Sequence, residues 1–407
     1  MKTLSHAARA VVTVLLAGVA LAGLVGAVVF RLAHSVVTPA KRKPDTEIVA
    51  VDSAAQTIEL TRTSDTELPG RYGLFTSGTH DYLKLGAVLS TSGSTVRRKL
   101  LTKVDARARL DPHAAFNGWY YTHPAELHLP YEAEVIGAPH GPCPAWFFPA
   151  EGSTWVILVH GRGVTRAECL RAVPTLHAEG YPSLVVSYRN DGEAARTSGG
   201  AYGLGSTEWQ DVDAAIGHAR RQGAERVILM GWSMGGAIVL QTLMRGAHRG
   251  MIAGLILESP VVNWRPVLDF HAKLAGMVDP IPAMAMSVLE GDVTARLAGA
   301  EQAIPFDRLD MVARAGELHV PILLLHSDDD GFVPSDASHE LAEARPDLVT
   351  MATFTGARHT KLWNYDPDAW TGAITQWLGA LEGGQGAASD TDRTASARAK
   401  DVSEKDA

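Results

Sequence analysis

The 407-residue chain carries 45 acidic against 37 basic side chains, a formal charge of −8, and is 46% hydrophobic and 20% charged. That balance excludes a fibrous or wholly disordered protein and argues against a nucleic-acid partner, which calls for a basic face. Two cysteines, Cys143 and Cys169, exclude a disulfide framework, although a single bridge between them stays open.

Residues 11–30 read VVTVLLAGVALAGLVGAVVF, with no charge and only Thr13 polar. About 20 residues at ~1.5 Å each cross a ~30 Å hydrocarbon core. A cleaved signal peptide could use Ala33-His34-Ser35 as a small-x-small site. Signal apolar regions run about 7–15 residues, however, so the length favours a single-pass membrane anchor. Lys2 and Arg9 precede the span, and Arg31, Lys41, Arg42 and Lys43 follow it. This bias leans towards a cytoplasmic body but is too small to fix the side of the membrane.

The chain divides into a tail (1–10), the anchor (11–30), a basic linker (31–45) containing PAKRKP, and a β-rich region (46–154) leading into a sheet. In that region IVAVD, TIELTR and YLKLGAVL alternate apolar with polar residues, broken by LPGRYG and TSGST, as half-exposed antiparallel strands do. From Trp155 the rhythm changes. WVILV, SLVVSY, RVILM, GLILE and PILLL are apolar without alternation and separated by helix-length segments, the pattern of parallel strands buried on both faces. STEWQDVDAAIGHARRQG predicts a helix with a Thr207/Gln210 capping box, an apolar face of Trp209, Val212 and Ile216, and a stop at Gly223. Residues 263–318 predict a small helical cap inserted into a 155–381 core. Residues 382–407 have the composition of a disordered tail.

Four motifs carry chemistry. Gly231-Trp232-Ser233-Met234-Gly235 follows a strand and precedes an apolar helix. Gly231 and Gly235 would let Ser233 occupy an unfavourable backbone region, with the Met234 N–H at a helix N-terminus facing whatever the serine attacks. A glycine-rich strand-to-helix turn would look the same. A nucleophilic serine needs a base, and His359 sits in a Gly-containing turn after the last strand-like run. The base needs a carboxylate. HSDDDGFVP offers three: Asp330 is the first choice, Asp328 the second and Asp329 the last, with a solvated turn as the plain alternative. EF-hand spacing is absent, so no metal is expected. In Val159-His160-Gly161-Arg162-Gly163, the turn at Gly161 and Gly163 would aim the Arg162 N–H into the site, pairing with Met234 as a two-donor oxyanion hole.

From about Trp155 to Leu381 the chain resembles the α/β-hydrolase superfamily, nearest its esterase, lipase and serine aminopeptidase-like branch. The resemblance rests on His160 to Gly163, Gly231 to Gly235, Asp330 in a D-x-x-V-P setting, and His359. Upstream of Trp155 the chain looks like bacterial membrane-anchored members. Arg358 and Arg162 depart from the usual pattern, the latter without consequence for a backbone donor. The resemblance implies an α/β fold with a mostly parallel sheet flanked by helices. It also implies a metal-free, cofactor-free Ser233–His359–Asp330 hydrolase acting on an ester, thioester or amide. A carboxylesterase- or lipase-like activity on a small or lipid-like acyl substrate leads. A serine peptidase, an acyltransferase and a silent binding protein are the alternatives. YRND (Tyr188 to Asp191) reads as pocket lining or, more simply, as a solvated loop. Trp209, Trp264 and Trp363 read as cleft-bordering or simply buried.

Overall fold

The computed structural model describes residues 6–39 and 42–383. The start of the expected tail, Ala40 and Lys41 of the linker, and the expected disordered tail from residue 384 lie outside the described residues. The first element, α1 (His6–Val37), is long and apolar enough to span a membrane, a test that signal sequences also pass. It does not stop at residue 30. Val25, Val29, Ala33 and Val37 fall four residues apart on one face and pack into the main core, so the helix runs on through the first part of the expected linker.

Six antiparallel strands follow: β1 (Thr46–Asp52), β2 (Thr57–Thr61), β3 (Tyr72–Phe75), β4 (Tyr82–Ser92), β5 (Thr95–Leu100) and β6 (His113–Asn117). They close into a barrel in the order β1-β2-β5-β4-β3-β6, which leaves no free edge. Alternation sends Ile58 and Leu60 of β2 and Val96 and Leu100 of β5 inward, and with them Arg98, which is fully buried. Its guanidinium donates to the carbonyls of Thr66, Leu68, Gly70 and Gly86, all within 3.1 Å. These bonds replace the water the cation lost, although burial still lowers its pKa to about 10.

The eight-stranded sheet begins at β7 (Glu132–Ala138) and β8 (Gly141–Phe148), ahead of Trp155. It continues with β9 (Thr154–Val159), β10 (Ser183–Val186), β11 (Arg226–Trp232), β12 (Ile252–Glu258), β13 (Ile322–Ser327) and β14 (Val349–Phe354). The order is β7-β8-β10-β9-β11-β12-β13-β14. The first two strands pair antiparallel and the last six run parallel. Each apolar run splits between two cores. Ile157 and Val159 of β9 face one, Val156 and Leu158 the other.

Helices α2 (Val173–Ala178), α3 (Trp209–Arg221) and α4 (Met234–Arg245) cover the sheet. The expected capping box is not formed. The carboxylate of Glu208 accepts the N–H groups of Gly203 and Gly205, and Gln210 accepts from Arg189. Gly223, at φ 104°, does end α3. Between β12 and β13 lie α5 (Trp264–Leu274), α6 (Ile281–Glu290), α7 (Asp292–Leu297) and α8 (Phe306–Leu309), with α6 packed along α1. Beyond β13 come α9 (Asp336–Ala344), α10 (Leu362–Tyr365) and a helix over 367–383. Cys143 and Cys169 are both free and buried, so the open bridge is absent.

Candidate active site

The crossovers reverse direction on either side of β9, and at such a point loops part at the carboxyl ends of the strands. Ser233 sits at the end of β11 as the residue before α4, with φ 52° and ψ −117°, a region non-glycine residues avoid. The glycines explain how the chain tolerates it. A Cβ on Gly231 would lie 2.5 Å from the Gly235 carbonyl oxygen, and one on Gly235 would meet the Val159 carbonyl oxygen. Gly236, unremarked in the sequence, is equally tight, its Cβ position 2.6 Å from Pro260. Close backbone approach, beyond turn freedom, fixes all three.

The three aspartates separate cleanly. Asp328 accepts from Ser335 and His339 at the surface. Asp329 accepts the Gly356 N–H, and its carbonyl oxygen accepts from the Arg358 guanidinium. Asp330 is buried, with one oxygen held by the N–H groups of Phe332 and Val333 at 2.8 and 2.9 Å. Its other oxygen lies 2.7 Å from His359 Nδ1. Burial raises the Asp330 pKa, but the imidazoles of His359 and His326 outweigh it and hold the carboxyl well below the usual range. His359 Nε2 in turn lies 2.9 Å from Ser233 Oγ. With Nδ1–H donating to the carboxylate, Nε2 is left to accept the serine proton.

The loop carrying His359 is tied down on three sides. Thr360, at φ 51°, donates its N–H to Ser259 Oγ at the end of β12, and Lys361 pairs with Asp65 of the barrel region at 2.8 Å. Asn364 donates to the carbonyls of Arg71 and Gly118. Arg358, the departure noted in the sequence, is therefore a brace between this loop and the aspartate turn.

The His160–Gly163 loop is held from below by a layer the sequence reading missed. YRND is not solvated: all four residues are buried. The Tyr188 ring stacks on His160 at 4.2 Å, its hydroxyl donates to the Gly161 carbonyl, and Asp191 lies 3.1 Å from His160 Nε2. Arg189 pairs with Asp211 of α3. The Gly161 N–H goes to the buried Glu168 carboxylate at 3.0 Å, so the next donor in the loop is the Arg162 N–H. Glu258, also missed, accepts from the indoles of Trp232 and Trp370 at 2.7 and 2.8 Å behind the serine. A carboxylate closing the buried run GLILE was the available signal. Trp363 and Trp264 are buried in the cores and Trp209 is half-buried, and Trp264 also lines a cavity beside the Arg162 loop.

The Arg162 side chain has a use of its own. Its guanidinium donates to the carbonyls of Ser35 and Thr38 at 2.8 and 2.6 Å, where a cation complements the C-terminal end of α1. Burial lowers its pKa. Removing this clamp in Arg162→Met is expected to lower hydrolase turnover about tenfold by loosening the loop. Arg162→Lys should recover part of the loss. A kcat unchanged in Arg162→Met would show that the clamp does not govern the loop.

Among the described residues, no cluster of three or more histidine, cysteine or acidic side chains is arranged to hold a metal ion. Among solved structures, the chain is similar to an esterase from Pyrococcus furiosus, with a TM-score of 0.50 at 17% identity over 64% of this chain and 94% of that one. It is also similar to an esterase from Exiguobacterium antarcticum (TM-score 0.46, 17% identity, 61% and 100% covered) and a bromoperoxidase from Bacillus anthracis (0.45, 17%, 61% and 100%). At such identities the likeness is one of fold. A model for a domain of unknown function matches residues 47–117, the barrel. The model of the alpha/beta hydrolase family matches residues 156–373, more than half of the chain. With the strand order and the serine-bearing turn in place, this chain belongs to the alpha/beta hydrolase family.

Proposed function

We propose that the protein is a serine hydrolase that cleaves carboxylic esters through an acyl-enzyme on Ser233. The observation that carries this reading is the continuous relay from Ser233 Oγ to His359 at 2.9 Å and from His359 to Asp330 at 2.7 Å. His359 takes the hydroxyl proton as Ser233 Oγ bonds to the carbonyl carbon, and Asp330 stabilises the imidazolium. The N–H groups of Arg162 and Met234 receive the oxyanion, the latter because the first N–H of a helix has no intrahelical acceptor. Collapse breaks the bond to the alcohol, which leaves with the proton from His359. Water, activated by the same imidazole, then releases the acid and restores the serine.

An aminopeptidase-like reading is disfavoured by the cavity at the Arg162 side, whose lining includes no carboxylate to pair with the ammonium of a peptide N-terminus. The test is a parallel panel of p-nitrophenyl esters and aminoacyl p-nitroanilides. Turnover of the esters with little or none of the anilides is expected, and the reverse preference would make the protein a peptidase.

We further infer that α1 is a retained membrane anchor rather than a cleaved signal. Val29, Ala33 and Val37 are buried in the body, His34 Nδ1 lies 2.8 Å from the Ala298 carbonyl oxygen, and the Tyr202 N–H donates to the Val37 carbonyl. Cleavage near Ser35 would remove part of the core. The expected product in carbonate-washed membranes is the uncut chain by intact mass. A mature protein starting just after Ser35 would contradict the inference.

A further inference from the structure

Two cavities share Phe332, and only the second is lined by His359 itself. The first, of about 330 Å³, lies between the end of α1, the cap helices α5 and α6, and the Arg162 loop. Leu32 and Val36 of α1, Trp264 and Leu268 of α5, and Met286 and Leu289 of α6 form its apolar walls. Phe332 belongs to the lining, and its ring stacks on His359 at 5.0 Å. The second, also about 330 Å³, lies on the other side of Phe332 and His359, against the barrel. His359 lines it, with the charged groups of Asp65, Glu168, Arg358 and Lys361 set in a wall that is still mostly apolar.

The helix fixes where the first cavity opens. From Ala10 to Leu24, α1 is exposed throughout, about 22 Å at 1.5 Å per residue. A hydrocarbon core of ~30 Å needs the uncharged run up to Phe30, just before Arg31. Val25, Val29 and Phe30, which pack against the body, therefore lie at hydrocarbon depth, and the cap comes with them. The cap surface agrees: Leu274, Val278, Met284, Val293 and Leu297 are bare, 42–71% exposed, on the helices and turns beside α1. Apolar surface of this extent, next to a spanning helix, is covered by lipid. Leu32 and Val36, one and two turns further on, then stand at the interface as the wall of the cavity mouth.

We propose, resting on the Ser233 reading, that the first cavity is a fatty-acyl site whose wall is the anchor itself, and that the substrate is an ester drawn from the bilayer that α1 spans. The acyl chain enters past Leu32 and Val36, at the end of α1, and reaches Ser233 past the Arg162 loop, while the alcohol lies in the second cavity, beside His359. The chemistry sets these sides. His359 gives its proton to the departing alkoxide, so the alcohol occupies the cavity that His359 lines, and the acyl chain stays with the oxyanion donors, on the side lined by Arg162. The Ser233 Oγ–acyl bond forms as the acyl–alkoxy bond breaks, and water afterwards yields a free fatty acid.

The experiment uses the full chain in phosphatidylcholine vesicles and compares kcat/KM for p-nitrophenyl dodecanoate and p-nitrophenyl acetate. Leu32→Trp and Met286→Trp fill the cavity from opposite walls, and Leu16→Trp places the same side chain on the exposed part of α1. The dodecanoate-to-acetate ratio is expected to fall about tenfold or more in both cavity variants and to stay unchanged in Leu16→Trp. Should either cavity variant fail to fold, the other decides. An unchanged ratio there, or an equal fall in Leu16→Trp, overturns the acyl site. Ser233→Ala run alongside separates the two claims, because equal acetate hydrolysis by wild type and Ser233→Ala removes the nucleophile reading whatever the ratios show.

Discussion

Ser233→Ala is expected to lower kcat towards p-nitrophenyl esters by about 10⁶-fold, with the thermal midpoint close to that of the wild type. The size follows from what the hydroxyl does. In the proposed mechanism it is the atom that bonds to the acyl carbon, and neither His359 nor the oxyanion donors can replace that bond. The small effect on stability follows from where it sits. Alanine keeps the Cβ that already occupies the φ 52° turn, and the hydroxyl's bond to His359 is partly solvated, so the fold loses little. Steady-state kinetics beside differential scanning calorimetry would check both halves. A residual rate within tenfold of wild type would mean that another group attacks the substrate.

Asp330→Asn carries the second-largest effect, a fall in kcat of about 10⁴-fold with KM changed little. The geometry makes this substitution sharper than a simple loss of charge. Oδ1 of Asp330 is held by two N–H donors, from Phe332 and Val333, which only an oxygen can satisfy. In the asparagine variant the amide oxygen stays at those donors, so the NH₂ group must face His359 Nδ1. Nδ1 then becomes the acceptor, Nε2 carries the proton, and the imidazole presents a donor to Ser233 where catalysis needs an acceptor. Asp328→Asn is the natural control, because that carboxylate pairs with Ser335 and His339 at the surface, away from His359. Equal losses in the two variants would assign the orienting role wrongly.

The parts of the fold legible in the sequence are those that local pattern decides. The apolar runs from WVILV to PILLL became buried parallel strands, because runs of about five apolar residues separated by helix-length segments fit strands covered on both faces. The serine turn could be read because close backbone approach admits only glycine, and glycine is visible as a letter. Distant partners decided the rest. Arg98 lies in a strand reading TVRRKL, where alternation with Val96 and Leu100 points it inward, but nothing local names the carbonyls, more than ten residues away, that receive it. Glu208 left its helix end uncapped to bind two glycine N–H groups, so the local capping rule lost to a loop it could not see. YRND has the composition of a polar turn, yet Asp191 and Tyr188 bury themselves to hold His160, their desolvation offset by hydrogen bonds to the imidazole and to the Gly161 carbonyl. The docking of Val29 to Val37 escaped the sequence because a span and a buried helix share one composition.

The most direct measurement is the site of covalent attachment of a fluorophosphonate probe, mapped by tandem mass spectrometry on the full chain. The account predicts a single phosphonylated residue, Ser233, with labelling abolished in Ser233→Ala and strongly slowed in His359→Ala. Equal labelling of wild type and Ser233→Ala, or an adduct confined to another side chain, would contradict it.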